Sequence, residues 1–131
     1  MAAPNIVNVA TITGITTFRV GISTVGASAG ITTIVTNAAS SNKVLKINSL
    51  VATAIGDTTG VTVQLFDGAA AHTAAAHTVS IATTMTVPLY SSLAVIDKTN
   101  SIYLQEGHQI GCTAQSNAGS IDIVCSYEDI S

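Results

Sequence analysis

The feature that most narrows the fold is a two-residue period carried by β-branched and other apolar side chains. Val61, Val63 and Leu65 alternate with Thr62 and Gln64, the pattern of a strand with one buried face, because successive strand side chains point to opposite sides. Val79, Ile81, Met85 and Val87 read as one face, with Ser80, Ala82, Thr84 and Thr86 on the other. Ile121, Ile123, Cys125 and Tyr127 alternate with Asp122, Val124, Ser126 and Glu128. Leu45, Ile47 and Val51 alternate with Lys46, Asn48 and Leu50, which predicts a strand partly covered on its second face. Thr, Val and Ile lose side-chain freedom in helices but suit a pleated surface. No segment carries an amphipathic helical period.

Turn-forming residues cut these runs at regular intervals: Gly26 to Gly30, Ala38 to Asn42, Gly56 to Gly60, Asp67-Gly68, Pro88 to Ser92, Asp97 to Asn100, Glu106-Gly107 and Asn117 to Gly119. The spacing predicts about eight to ten short strands. They fall near 5–12, 15–22, 31–36, 43–54, 61–66, 77–87, 93–97, 102–105, 109–115 and 120–128. A chain of 131 residues is one domain by size. The expected fold is therefore all-β: a single antiparallel β-sandwich over residues 1–131, jelly-roll-like. Residues 1–13 are either an extended N-terminal arm or the first strand, and the sequence leaves both open. A four-residue loop at Asn117–Ser120 predicts a final hairpin in which Ala114 opposes Ile123, Cys112 opposes Cys125 and Ile110 opposes Tyr127. The polar Thr113, Gln115, Asp122 and Ser126 then face the other way.

Charge is sparse. Lys and Arg total 4 and Asp and Glu 7, or 8% of the chain, against about 25% in an ordinary domain. Hydrophobic residues make up 47% but aromatics only 4%, so the outward positions are mostly Thr, Ser and Ala. Such a chain is too apolar for intrinsic disorder. A net charge of −3 without a Lys/Arg cluster argues against nucleic acid as a partner. No apolar run reaches the roughly 18–20 residues of a membrane span, and the opening Met1-Ala2-Ala3-Pro4-Asn5 lacks the basic start of a signal peptide. The expectation is a protein made in the cytoplasm and without membrane contact. Lys43 and Lys46 read as gatekeepers against edge pairing, and Asp97-Lys98-Thr99-Asn100 as a turn with exposed charges.

Few residues invite a chemical reading. Cys112 and Cys125 are expected to be reduced core residues in a reducing compartment, with a cross-strand disulfide as the alternative. His72 and His77 stand five apart in an Ala-rich segment, which is not the spacing of a helical metal pair. His108, Asp67 and Asp57 are the residues from which a third ligand would have to come. A small-residue loop is the expected reading. Glu106 and His108 would need a nucleophile or a metal to do acid–base work. No Gly-x-Ser-x-Gly elbow accompanies the serines, and Gly21, Gly26 and Gly30 are too far apart for a phosphate loop. The expectation is no catalytic, cofactor-binding or metal residues, and no enzyme.

Several stretches resemble small virion proteins of the T4-like tailed phages that infect marine cyanobacteria (cyanomyoviruses). They are Ala2-Ala3-Pro4-Asn5-Ile6-Val7-Asn8-Val9, the middle Asn37-Ala38-Ala39-Ser40-Ser41-Asn42-Lys43-Val44-Leu45-Lys46-Ile47-Asn48, the stretch Leu93 to Gly107, and the close Val124-Cys125-Ser126-Tyr127-Glu128-Asp129-Ile130-Ser131. The resemblance implies a β-sandwich structural protein of the virion. Read with the low charge, it leads to the expectation of a capsid decoration (cement) protein that reinforces the major capsid shell. Its partners would be the major capsid protein or other virion proteins and further copies of itself, a trimer being favoured. A neck or tail component, a short fibre or adhesin module, and a bacterial surface-layer or pilus-like subunit are the alternatives.

Overall fold

The computed structural model describes residues 9–22, 31–67, 77–115 and 119–131. Nine strands lie among them: β1 (Ile12–Ile22), β2 (Thr32–Thr36), β3 (Val44–Ile55), β4 (Thr59–Asp67), β5 (His77–Val87), β6 (Ser92–Ile96), β7 (Ile102–Leu104), β8 (His108–Ala114) and β9 (Ser120–Ile130). A single 3-10 turn, Lys98–Asn100, separates β6 from β7. The first sheet has the order β1-β9-β3-β6, with β7 also paired to β3, along Leu45–Ile47 where β6 does not reach; the second has the order β2-β8-β4-β5. Every strand pairing is antiparallel. The expected sandwich is what forms, and most strands lie where turn residues placed them. The expected strand at 5–12 falls largely outside the described residues, and residues 9–11 are not strand.

The two sheets close on a core of small and medium apolar side chains. From the first sheet come Ile47, Leu50, Ala52, Ala54, Ile121, Ile123 and Cys125, and from the second Val61, Val63, Ile110, Cys112 and Ala114. β9 keeps strict alternation along this face. β3 does not: Leu45 and Ile47 point inward, and after a register shift at Asn48 the inward residues are Leu50, Ala52 and Ala54. The broken period in the sequence is thus a β-bulge, which moves the inward phase from odd to even numbers. It is not the two-sided cover predicted from periodicity, and Val51 lies on the outer face.

Three further expectations are corrected. The final hairpin does not exist, because β8 pairs with β2 and β4 while β9 pairs with β1 and β3. The inward phase of Ile110, Cys112, Ala114, Ile121, Ile123 and Cys125 is as expected, but it arises from two sheets facing each other. Alternation fixes which side chains point in; it does not fix which strand lies alongside. The common face of Val79, Ile81, Met85 and Val87 is broken at one position: Val79, Met85 and Val87 oppose Leu65, Val61 and Thr59, but Ala82 and not Ile81 opposes Val63. β5 carries register shifts opposite Val61–Val63 and Val63–Gln64, with Thr84 at φ 51°, and Val79 and Met85 are exposed. Lys46 is no edge gatekeeper either: it lies on central β3, between Glu128 of β9 and Tyr103 of β7.

The outer face of the second sheet is covered where the sequence predicts polar exposure. Thr62, Gln109 and Thr113 are buried there, as is Phe66. Ile31 and Phe66 close over Gly111, where an added Cβ would stand 2.5 Å from Ile31 Cγ2 and 3.1 Å from the Phe66 ring.

Buried Asn37, just after β2, ties the sheets at one end. Its side-chain amide donates to the Lys43 carbonyl at 2.9 Å and the Leu104 carbonyl at 3.0 Å, and its Oδ1 accepts from the Ser41 hydroxyl. Its backbone N–H donates to His108 O at 2.9 Å and its carbonyl accepts from Gly107 N at 2.8 Å. Asn37→Ala leaves two carbonyls without their donor. Chemical denaturation is expected to show a loss of about 2–4 kcal/mol, since each stranded buried polar group costs about 1–3 kcal/mol. A change under about 0.5 kcal/mol, the size of an ordinary surface substitution, contradicts the clamp.

Candidate interaction surface

The outer face of the first sheet is open except at the end where Val44 and Ile130 are buried, and its rows follow from strand register. Phe18 of β1 opposes Val124 of β9, Val124 opposes Val51 of β3, and Val51 opposes Ala94 of β6. These four form one apolar row across four strands. Phe18 is 64% exposed and Val124 46%. On one side lies a hydroxyl row of Thr16, Ser126 and Ser49, with Thr16 and Ser126 bonded through their hydroxyls at 2.9 Å. On the other lie Asp122, Thr53 and Ser92, with a 2.8 Å bond between the Thr53 and Ser92 hydroxyls. The Asp122 carboxylate accepts from the Gly21 N–H at 2.9 Å and so holds the β1 bulge, where Gly21 adopts φ 64°, a conformation that glycine accepts without steric cost. Sequence reasoning identified Val51 and Val124 only as alternating residues. The row appears once register is known.

At the Asn37 end a recess of about 460 Å³ is lined by Asn37, Asp67, Glu106, His108 and Gln109 among others. The Glu106 carboxylate accepts from the Asn42 N–H at 2.7 Å, so it serves as a turn brace. Three of the residues considered as ligands share a row: Asp67 lies between His108 of β8 and His77 of β5 in backbone register. Asp57 is in the turn at the opposite end of β4, and His72 lies outside the described residues. Among the described residues no group of three His, Cys, Asp or Glu is placed to hold a metal ion. A neighbouring recess of about 210 Å³ contains Tyr127, Lys43 and Asp129. Lys43 Nζ meets Asp129 Oδ2 at 2.8 Å, so this lysine is an ion-pair partner and not an edge guard. Burial raises the Tyr127 phenol, Asp129 and Cys125 add to the effect, and Lys43 opposes it.

Cys112 and Cys125 enter the core from opposite sheets, and both are free and fully buried. Burial pushes both thiols up to about 12, with Cys125 contributing to the rise at Cys112. They are core atoms with suppressed nucleophilicity, since the thiolate is the reactive form.

Comparison with protein-family models, curated proteins and solved structures returns no match.

A thiol reagent at pH 8 is expected to label neither cysteine in the folded protein and both after denaturation. A pair of fast-reacting native thiols contradicts their burial. The raised thiols also set a sign. The folded state favours protonated sulfur, so this stabilisation is complete below the ordinary thiol value of 9.0 and is lost as pH climbs through about 12. Thermal melts should therefore fall more steeply above pH 9 in the native chain than in a Cys112→Ala/Cys125→Ala variant; parallel slopes would contradict it.

Proposed function

We propose that the chain is a structural protein of a phage virion, acting as a capsid decoration protein that binds over the major capsid shell. The observation that carries this reading is the apolar row Phe18–Val124–Val51–Ala94, open on the outer face of the first sheet. Exposed apolar surface framed by polar residues marks contact surfaces, and short hydroxyl and methyl side chains lose little rotamer freedom when immobilised. Strand order adds support. The pairs β1·β9, β2·β8, β3·β6 and β4·β5 are nested, as when one long hairpin is rolled into two layers. This wrapping supports the finer reading of the sandwich as a jelly roll, an architecture that recurs in viral capsids, although architecture by itself does not assign a role. The resemblance of the Asn37–Asn48 and Leu93–Gly107 stretches to cyanomyovirus virion proteins points the same way. In this reading the partners are the major capsid protein and further copies of the chain, and the place of action is the virion.

The test is a map of the protein on purified particles together with its copy number. Many copies over the whole shell, and shells that withstand more heat or chaotrope with the protein bound, are expected. A few copies confined to one vertex would overturn decoration and assign a neck or tail position. Val124→Lys places a charge in the middle of the row at an exposed site, with a stability change within about 0.5 kcal/mol. It is expected to abolish shell binding, and undiminished binding removes the row from the interface.

A further inference from the structure

The first sheet ends at β1, and the backbone there shows which groups are unused. Thr11 N–H donates to Ser131 O and Ser131 N–H to Thr11 O, each at 3.0 Å. In an antiparallel ladder such doubly bonded pairs alternate with unbonded ones. The register Ile12↔Ile130 through Arg19↔Ile123 is unbroken. Thr13, Ile15 and Thr17 therefore turn their N–H and C=O groups toward β9, while Ile12, Gly14, Thr16 and Phe18 turn theirs away. The Phe18 carbonyl, on that far side, accepts from the guanidinium of adjacent Arg19 at 2.9 Å. No described strand lies beyond β1.

The other sheet edges carry features that discourage pairing. β2 has five residues and a register shift, and β5 is bulged twice. β6 and β7 have five and three residues and are split by the 3-10 turn. β1 alone presents a flat run, Ile12 to Phe18, with no charge in it and with Ile12 61% and Phe18 64% exposed.

We propose that β1 pairs with β1 of a second copy, antiparallel across a two-fold axis through Ile15. That register sets Ile12 opposite the partner's Phe18 and Gly14 opposite the partner's Thr16. Every outward N–H and C=O of Ile12, Gly14, Thr16 and Phe18 on both strands then finds a partner across the axis, giving eight hydrogen bonds, with the Phe18 carbonyl accepting there through the lone pair that the Arg19 guanidinium leaves open. The occupant is a second copy because the run is symmetric about Ile15: the two-fold sets exposed, bulky Ile12 against exposed, bulky Phe18, Thr13 against Thr17 and small Gly14 against Thr16. Ile12 and Phe18 share the outer face, so the partner's Ile12 extends the row Phe18–Val124–Val51–Ala94, and the joined sheets present one continuous surface. The pairing goes beyond the virion reading and stands independently of it. It also replaces the three-fold assembly expected from the sequence with a two-fold one.

Sedimentation and light scattering on the full chain are expected to give a concentration-dependent dimer. Thr16→Pro removes an outward N–H and none that faces β9, so the melting temperature should hold while dimerisation weakens roughly tenfold or more, two hydrogen bonds being lost per dimer. Under oxidation, the double substitution Ile12→Cys with Phe18→Cys is expected to give a covalent dimer, because opposed bonded pairs stand about 5.5 Å apart at Cα. Ile12→Cys alone should not crosslink. A monomer at all concentrations, a trimer indifferent to Thr16→Pro, or equal crosslinking by the single variant overturns the proposal. If Thr16→Pro unfolds the chain, the crosslinking result decides. Val124→Lys should leave the dimer intact, so failure of shell binding and failure of pairing are read separately.

Discussion

The ladder between β3 and β9 is the constraint on which the rest depends. It runs from Val44↔Ile130 to Ile55↔Ser120 through the middle of the first sheet, and it gives that sheet its inward face. The bulge at Asn48 is what makes this possible. Without it, one half of β3 would turn Leu45 and Ile47 inward and the other half would turn Leu50, Ala52 and Ala54 outward. A one-residue slip reverses every side chain on a strand. The bulge absorbs that reversal, so one strand of fixed sequence has a single buried face. β1 and β6 then pair on either side, and the second sheet packs against a surface of Ile, Leu, Ala and Cys, with half-buried Tyr127 against it.

Strand positions were legible because this chain marks them twice, by β-branched alternation and by Gly, Asn, Asp and Pro at the breaks. The turn at Asp97 illustrates this, since its carboxylate accepts from Thr99 N at 2.8 Å and Asn100 N at 3.2 Å to cap the 3-10 turn. Pairing was not legible. Ile110, Cys112 and Ala114 have the same alternation whether β9 lies beside them or across the core, and only the whole set of strands excludes the hairpin. Bulges were legible only in part. The odd-to-even change at Asn48 is visible in the sequence but admits a second explanation, partial cover of both faces. The shifts in β5 leave no trace, because Ile81, Ala82, Thr83 and Thr84 offer no contrast in polarity sharp enough to reveal a change of phase. The Phe18–Val124–Val51–Ala94 row was hidden for the same reason as the pairing: its members come from four strands far apart in sequence.

The two sheets treat their outer faces differently, and the few charges explain part of the contrast. Several carboxylates are engaged with the backbone. Asp57 Oδ1 accepts from Thr58 N, Asp97 from the 3-10 turn, Glu106 from Asn42 N and Asp122 from Gly21 N. Asp129 is bound to Lys43. Charges committed to turns, to a bulge and to an ion pair do little to solvate a sheet face. The second sheet meets this by covering Phe66, Thr62 and Gln109 on its outer side. The first sheet leaves Phe18 and Val124 open between hydroxyl rows.

That asymmetry bears on how such a chain avoids indiscriminate aggregation. An uncharged edge and an open apolar row are both hazards for a β-protein. Three edges here are shortened, bulged or interrupted, so pairing there would leave groups unmatched. The remaining edge adjoins the only sheet face with an open apolar row among the described residues, and both belong to β1, through Phe18. An edge that pairs with its own copy is consumed by doing so: once β1 is matched, the joined sheet ends at β6 and β7 on both sides, and these are too short and too broken to continue it. Assembly through β1 is therefore self-limiting, and what stays exposed afterwards is a face, which a flat partner can cover. Low charge and an open row, hazardous in an isolated subunit, are in this arrangement the properties of a unit built to be buried in stages.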